Sequence, residues 1–364
     1  MAHTSRGGAP EDDFSCSLDG APHDRRAGHS RSVVVLALAA CLVLAACSSQ
    51  GVSGQAPARS AAGGPQVTVD MVTHGQSFDP FWALVQKGAQ AAAKDFNVNL
   101  VYHSPSTTNP QAEASLIGQA ASGHPKGLVV TIPDAAVLSG PVKQAASAGV
   151  PVVVMNVGAS VYQNVGALTF VGQDEIAAGQ EAGRQMAAAG VHKALCVIHE
   201  EKNVALVDRC AGFARALATA GGSVRVLHVN GAELNSAANA IEKALKADPA
   251  IDGVLATGII GFTAAGGALQ TLNKFGQIKL GTFDVSNQDL NAVINGQALF
   301  VIDQQPFLEG YMAVQVSAFE ARYGQHPFGP VLTGPSLVTK ANAAQVAQLY
   351  KSTGIPLFNG GYPT

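Results

Sequence analysis

Charge is scarce in this chain. Only 13% of its 364 residues are Asp, Glu, Lys or Arg, and the formal net charge is −3. Without a basic excess there is no footprint for nucleic acid. Nucleotide fingerprints are missing too: no Gly-x-Gly-x-x-Gly and no Walker loop follows a strand-like segment. None of the ten histidines has metal-binding helical spacing. His199-Glu200 begins like a zinc-protease motif, but Asn203 stands where the second histidine is needed. The strand ends supply no Ser-His-Asp order. No metal, cofactor, nucleic acid or catalysis is therefore expected. After Cys47 no apolar run approaches the ~20 residues of a membrane span.

The N-terminal region is where the apolar residues concentrate. An unbroken run from Val33 to Ala46 follows Arg25, Arg26 and Arg31, and Ser48, Ser49, Gln50 and Gly51 come after it. At 1.5 Å per residue the run spans about 21 Å, short of a ~30 Å hydrocarbon core. Basic flank, apolar core and small residues form a secretory signal over residues 1–46. Leu44-Ala45-Ala46-Cys47 resembles the lipobox of bacterial lipoproteins, which implies lipidation of Cys47 and a lipid anchor at the cell membrane. Leu38-Ala39-Ala40-Cys41 also fits, but cleavage there leaves an apolar stub. Residues 47–65 then read as the lipidated N-terminus and a flexible Ser/Gly/Ala tether.

Of the five cysteines, Cys16 and Cys41 lie in the discarded segment and Cys47 carries lipid. Cys196 and Cys210 remain, in an exported chain where disulfides persist. They read either as a bridge, which contributes roughly 3 kcal/mol in the loop-entropy model, or as two buried thiols.

From Gln66 onward, strand and helix patterns alternate with little slack. Continuous Val/Ile/Leu strands between helices indicate parallel sheets covered on both faces. There are too many units for one open sheet, so two α/β domains are expected. Parallel sheets place ligands at the carboxyl ends of their strands. Those ends carry Thr73-His74, with Phe78-Asp79-Pro80-Phe81-Trp82 just after, then His103, Asn156, His199-Glu200, Gly258, Asp284 and Asp303-Gln304. Polar groups beside an aromatic plate suit a sugar, whose hydroxyls seek carboxylates and amides while its C–H face packs on a ring.

Seven segments in order resemble the type I periplasmic binding proteins, in the ribose- and sugar-binding branch that feeds ABC importers. They are Asp79-Pro80-Phe81-Trp82, Gly127 to Pro133, Pro151 to Asn156, Val171 to Asp174, Arg209 to Phe213, Gly281 to Asp284, and Ile302 to Pro306. The resemblance implies two doubly wound parallel-sheet lobes joined by a three-strand hinge. Lobe 1 is residues 66–171 plus 305–333, and lobe 2 is residues 172–304 plus 334–364. It implies ligand contacts at positions matching Asp79, Phe81, Trp82, Asn156, Arg209, Asp284 and Gln304. It further implies a monomeric solute receptor that hands a monosaccharide or sugar alcohol to an ABC permease. Asn156-Val157 and Gly258-Ile259 depart from the family's Asp-Arg and Asn-Asp pairs, so the ribose pocket is not reproduced in detail.

Each of these residues also has a plainer use. Trp82 and Phe81 serve as a stacking platform or as core. Asp79 binds a hydroxyl or caps its helix. Arg209 and Asp284 hold the ligand or pair with each other. Gln304 bridges to ligand or is a solvated hinge amide. His74 and His103 bind a hydroxyl or are satisfied histidines, and Phe78, Asn203 and Gly258 are further candidates. A receptor for a small furanosyl signal or for chemosensing fits the same features. A repressor does not, because its DNA-binding segment is replaced here by a signal and tether.

Overall fold

The computed structural model describes residues 64–75, 79–106, 109–355 and 357. The signal segment, Cys47, most of the tether and Phe78 lie outside the described residues. The first half runs β1 (Val67–Val72), α1 (Pro80–Asp95), β2 (Val98–His103), α2 (Pro110–Ser122), β3 (Gly127–Val130), α3 (Ala135–Ser147), β4 (Val152–Met155) and β5 (Thr169–Gly172). The second runs α4 (Glu175–Ala188), β6 (Lys193–Ile198), α5 (Val204–Thr219), β7 (Ser223–His228), α6 (Leu234–Ala247), β8 (Gly253–Ala256), α7 (Ile259–Thr271), β9 (Lys279–Phe283), α8 (Asn287–Ile294) and β10 (Phe300–Asp303). Then come α9 (Pro306–Tyr323), β11 (Val331–Leu332), β12 (Ser336–Thr339) and α10 (Ala343–Ser352).

Two six-stranded sheets result, ordered β11-β5-β4-β3-β1-β2 and β12-β10-β9-β8-β6-β7. The orders match strand for strand. The first sheet is parallel throughout, and in the second only β12 runs antiparallel, against β10. Strands β3, β4, β5, β8 and β10 are buried at every position, as strands covered on both faces must be. Each sheet separates two apolar clusters, one built around Val69, Met71 and Val314, its opposite around Leu128, Ile132 and Val152. The other sheet has Ile241, Val254 and Leu290 on one face and Cys196, Phe213 and Phe283 on the other.

Three segments cross between the sheets: Gly172 to Glu175, Asp303 to Pro306, and Leu332 to Ser336. The fold is thus two α/β lobes with three connections. Cys196 on β6 is bonded to Cys210 on α5, with Cα atoms 5.9 Å apart. Among the described residues, no helix is long and apolar enough to cross a membrane.

Several elements differ from the sequence reading, which names no helix after Asp284 and so misses α9 and α10. A helix is expected over Phe262–Phe275, but α7 starts at Ile259, because Gly258 serves as an N-cap with no side-chain bond. Helix α8 is not anticipated. It has only eight residues, begun by a Ser286 cap that accepts from Asp289 N, too few for a periodic pattern to stand out.

Candidate functional site

Helices that follow parallel strands begin at the strands' carboxyl ends, so their N-caps gather there. Asp79 accepts a hydrogen bond from Phe81 N, Asn109 from Gln111 N, Asp134 from Ala136 N and Asn203 from Ala205 N. All four caps line one cleft of about 1070 Å³ between the lobes. His74 and Glu113 join them from lobe 1, and His199, Glu200 and Asn230 from lobe 2. The lobes touch within the cleft. His74 Nε2 lies 3.4 Å from Asn203 Nδ2 and 3.8 Å from Glu200 Oε2, and Val204 N donates to Pro133 O at 3.3 Å.

Of the residues singled out from sequence, His74, Asp79 and Asn203 line this cleft. Asp79 uses Oδ1 on its helix cap, and Oδ2 makes no hydrogen bond among the described residues, so one carboxyl oxygen is left for a second partner. Gly258 sits beside the cleft: a side chain there would meet His199 Cε1 at 2.8 Å and Asp284 Oδ2 at 3.0 Å.

Asn156, Arg209, Asp284 and Gln304 form a buried polar layer that does not line the cleft. Asn156 and Asp284 follow the matching strands β4 and β9, and both have left-handed backbone, with φ of 63° and 72°. Asn156 Nδ2 donates to Gln304 Oε1 at 3.3 Å and to Glu309 Oε2 at 3.1 Å, while Gln304 Nε2 donates to Asp284 Oδ1. These bonds join both lobes through the second crossing segment. Arg209 pairs not with Asp284 but with Glu175, with Nε donating at 2.6 Å and Nη2 at 2.9 Å. Its Nη1 donates to Thr257 O at 2.7 Å. The guanidinium also lies 4.6 Å from the Phe283 ring centre.

Phe81 and Trp82 belong to the lobe 1 core. Trp82 is 4% exposed and meets His74 edge-on at 4.7 Å. Gly75 makes this possible, since a Cβ there would fall 1.7 Å from the indole nitrogen. His103 is outside the cleft lining, paired with Asp70 at 2.9 Å.

The site is richer in carboxyls than its sequence suggests. Burial pushes Asp79 up to about 7, helped by Glu200 and Asp284, and raises Glu113 to about 8. Asp284 is raised to about 6 by burial against the pull of Arg209, and Glu309 is raised well above the usual range by burial. Glu200 is lowered: burial pushes it up, but His74, His199, the Asn203 hydrogen bond and Arg209 together outweigh that. His74 and His199 are themselves lowered by burial. Glu113, Glu175 and Glu309 are the residues that sequence reasoning missed. Each occupies a place in a buried helical stripe, as Glu113 does beside Ile117 and Ala120. An acid at an apolar position of the period is the signal that marks them.

A pH dependence follows. Unfolded carboxyls lose their protons near pH 4, whereas folded Asp79 and Glu113 hold theirs to about 7 and 8, as does Asp289 to about 8. Above the ordinary imidazole value of about 6.5, His74 and His199, which burial lowers, are largely neutral in both states, so these carboxyls make the folded form bind more protons and stability falls as pH rises. The slope is at most about 1.4 kcal/mol per pH unit for each retained proton. Urea midpoints at pH 6.5 and 8.5 should show the fall, with a shallower slope in Glu113→Gln. A midpoint that rises with pH contradicts it.

Among the described residues, no cluster of three or more His, Cys, Asp or Glu is arranged to hold a metal ion. Comparison with known proteins agrees with the two-lobed architecture. Residues 69–325 match the family model described as periplasmic binding protein domain. This chain belongs to the periplasmic binding protein family. A carbohydrate transporter from Acidothermus cellulolyticus 11B, solved in complex with myo-inositol, is 39% identical to this chain. The match covers 80% of this chain and all of that one, with a TM-score of 0.73. A xylose/arabinose-binding protein from Sulfolobus acidocaldarius is 24% identical over 64% of this chain. The chain spans 61% of that relative's length. An arabinose binding protein from Geobacillus stearothermophilus is 24% identical over 77% of this chain and 99% of that one, with a TM-score of 0.63, and shares the fold. Membership of the periplasmic binding protein family implies an extracytoplasmic location.

Proposed function

We propose that this chain is the solute receptor of an ABC importer and holds a monosaccharide or sugar alcohol between its lobes. The observation that carries the reading is the cleft at the carboxyl ends of both sheets. There Asp79 and His74 on one lobe face Glu200 and Asn203 on the other. A guest bonded to both walls stabilises the closed arrangement and not the open one, which is what a hinged receptor requires. Asn156, Arg209, Asp284 and Gln304 stand next to that space with carboxyl, amide and guanidinium groups suited to hydroxyls. The relatives bound to myo-inositol or named for xylose and arabinose support the same ligand class. Lipidation of Cys47 tethers the receptor to the membrane near its permease, and it works as a monomer without cofactor or catalysis.

Calorimetry across pentoses, hexoses and cyclitols tests this. One class is expected to bind, and Asp79→Asn, which keeps the helix cap, is expected to weaken it by about 10- to 100-fold, as for a lost charged hydrogen bond. The reading fails if no sugar or polyol binds the intact protein.

A further inference from the structure

Helix α2 turns most of its polar residues outward: Gln111, Ser115, Gln119 and Ser122 are exposed. Glu113 does the opposite. It is 1% exposed and shares the inner stripe with Ile117 and Ala120. One carboxyl oxygen is held firmly, because Thr131 Oγ1 donates to Glu113 Oε1 at 2.6 Å while accepting from His74 N at 2.9 Å. The other oxygen, Oε2, is buried with no partner among the described residues, and the residue lines the interlobe cleft. His74 Nδ1 is likewise buried and unpartnered, on the same wall. Burying an unpaired polar atom is costly. Packing gains nothing from it, since an apolar side chain would complete the stripe.

We propose that Glu113 is a ligand-recognition residue, its free oxygen bonding to one ring hydroxyl of the guest and so deciding which polyols the cleft accepts. This rests on the sugar or polyol reading above. Its geometry is preorganised, because Thr131 ties the carboxyl to the His74 backbone before any guest arrives. A polar group left unpaired discriminates strongly against a guest that lacks the matching hydroxyl. Glu200 lines the same cleft from the other lobe, and its charge raises Glu113 further.

The test is calorimetry of the exported chain with myo-inositol and its monodeoxy isomers, with D-xylose, L-arabinose and their deoxy forms as a second series. Wild type is compared with Glu113→Leu and Glu113→Gln. In wild type, one deoxy isomer is expected to bind at least tenfold more weakly than its parent. In Glu113→Leu the same pair is expected to bind alike. Identical deoxy penalties in wild type and variant overturn the proposal, since a purely structural Glu113 weakens every guest equally. Should Glu113→Leu not fold, Glu113→Gln retains an acceptor for Thr131 and is expected to reorder the series; an unchanged order overturns the proposal. If wild type binds no member of either series, the sugar reading falls and this one falls with it. Binding with a ranking independent of Glu113 removes this one alone.

Discussion

Replacing Arg209 by alanine is expected to lower the unfolding free energy by about 3–5 kcal/mol, the cost of leaving one half of a buried ion pair unpaired. The side chain is 3% exposed and gives three hydrogen bonds, two to Glu175 and one to Thr257 O. Without it, Glu175 remains buried beside Asp208 with only the Gln173 amide as a partner. The melting temperature should fall by on the order of 10 °C. Arg209→Met combined with Glu175→Leu removes both charges and is expected to recover most of the loss. Urea titration of the single and double variants decides it. A single-variant loss below about 1 kcal/mol, or a double variant no better than Arg209→Ala, contradicts the burial argument. Where the double variant recovers stability, it also isolates the ligand role: a loss of sugar binding there belongs to the missing guanidinium or carboxylate.

The second large effect concerns helix contact rather than charge. In each lobe two helices cross on glycines. Cβ atoms at Gly212 and Gly179 would lie 2.2 Å from Ile176 O and 2.1 Å from Arg209 O, where α5 meets α4. At Gly88 and Gly310, where α1 meets α9, the distances are 1.9 Å to Phe307 O and 2.0 Å to Val85 O. The obstacle in every case is backbone, which cannot rotate away. Gly212→Ala is therefore expected to cost about 1–3 kcal/mol, as overpacking does, and to shift α4 and the Glu175 it carries. Gly118→Ala on α2 is the control. Nothing lies within 4 Å of that position, so a gain of up to about 1 kcal/mol is expected from helix propensity alone. Denaturant midpoints for both variants check the pair of signs; equal effects would show that close approach is not the cause.

Much of this was legible in the chain itself. Strands such as Gly127–Val130 and Val152–Met155 are plain because strands covered on both faces must be apolar throughout. Caps such as Asp79 with Pro80, and Asn109 with Pro110, are plain because their chemistry is local. The partners of the polar residues were not legible. Arg209 could be recognised as important, but its pairing with Glu175, 34 residues earlier, exists only once α4 and α5 pack. Trp82 lies in the core because Gly75 lets the indole approach, a relation that no periodicity expresses. Glu113 and Glu309 look like ordinary helical acids until tertiary packing closes over them.

The bond between Cys196 and Cys210 ties the middle of β6 to the helix turn that carries Arg209. A chain still inside a reducing compartment can form every hydrogen bond around that arginine and yet lack the covalent tie behind it. On the exported-receptor reading proposed above, oxidation becomes a maturation step that follows export, and material prepared in a reducing host should be oxidised before its binding is judged.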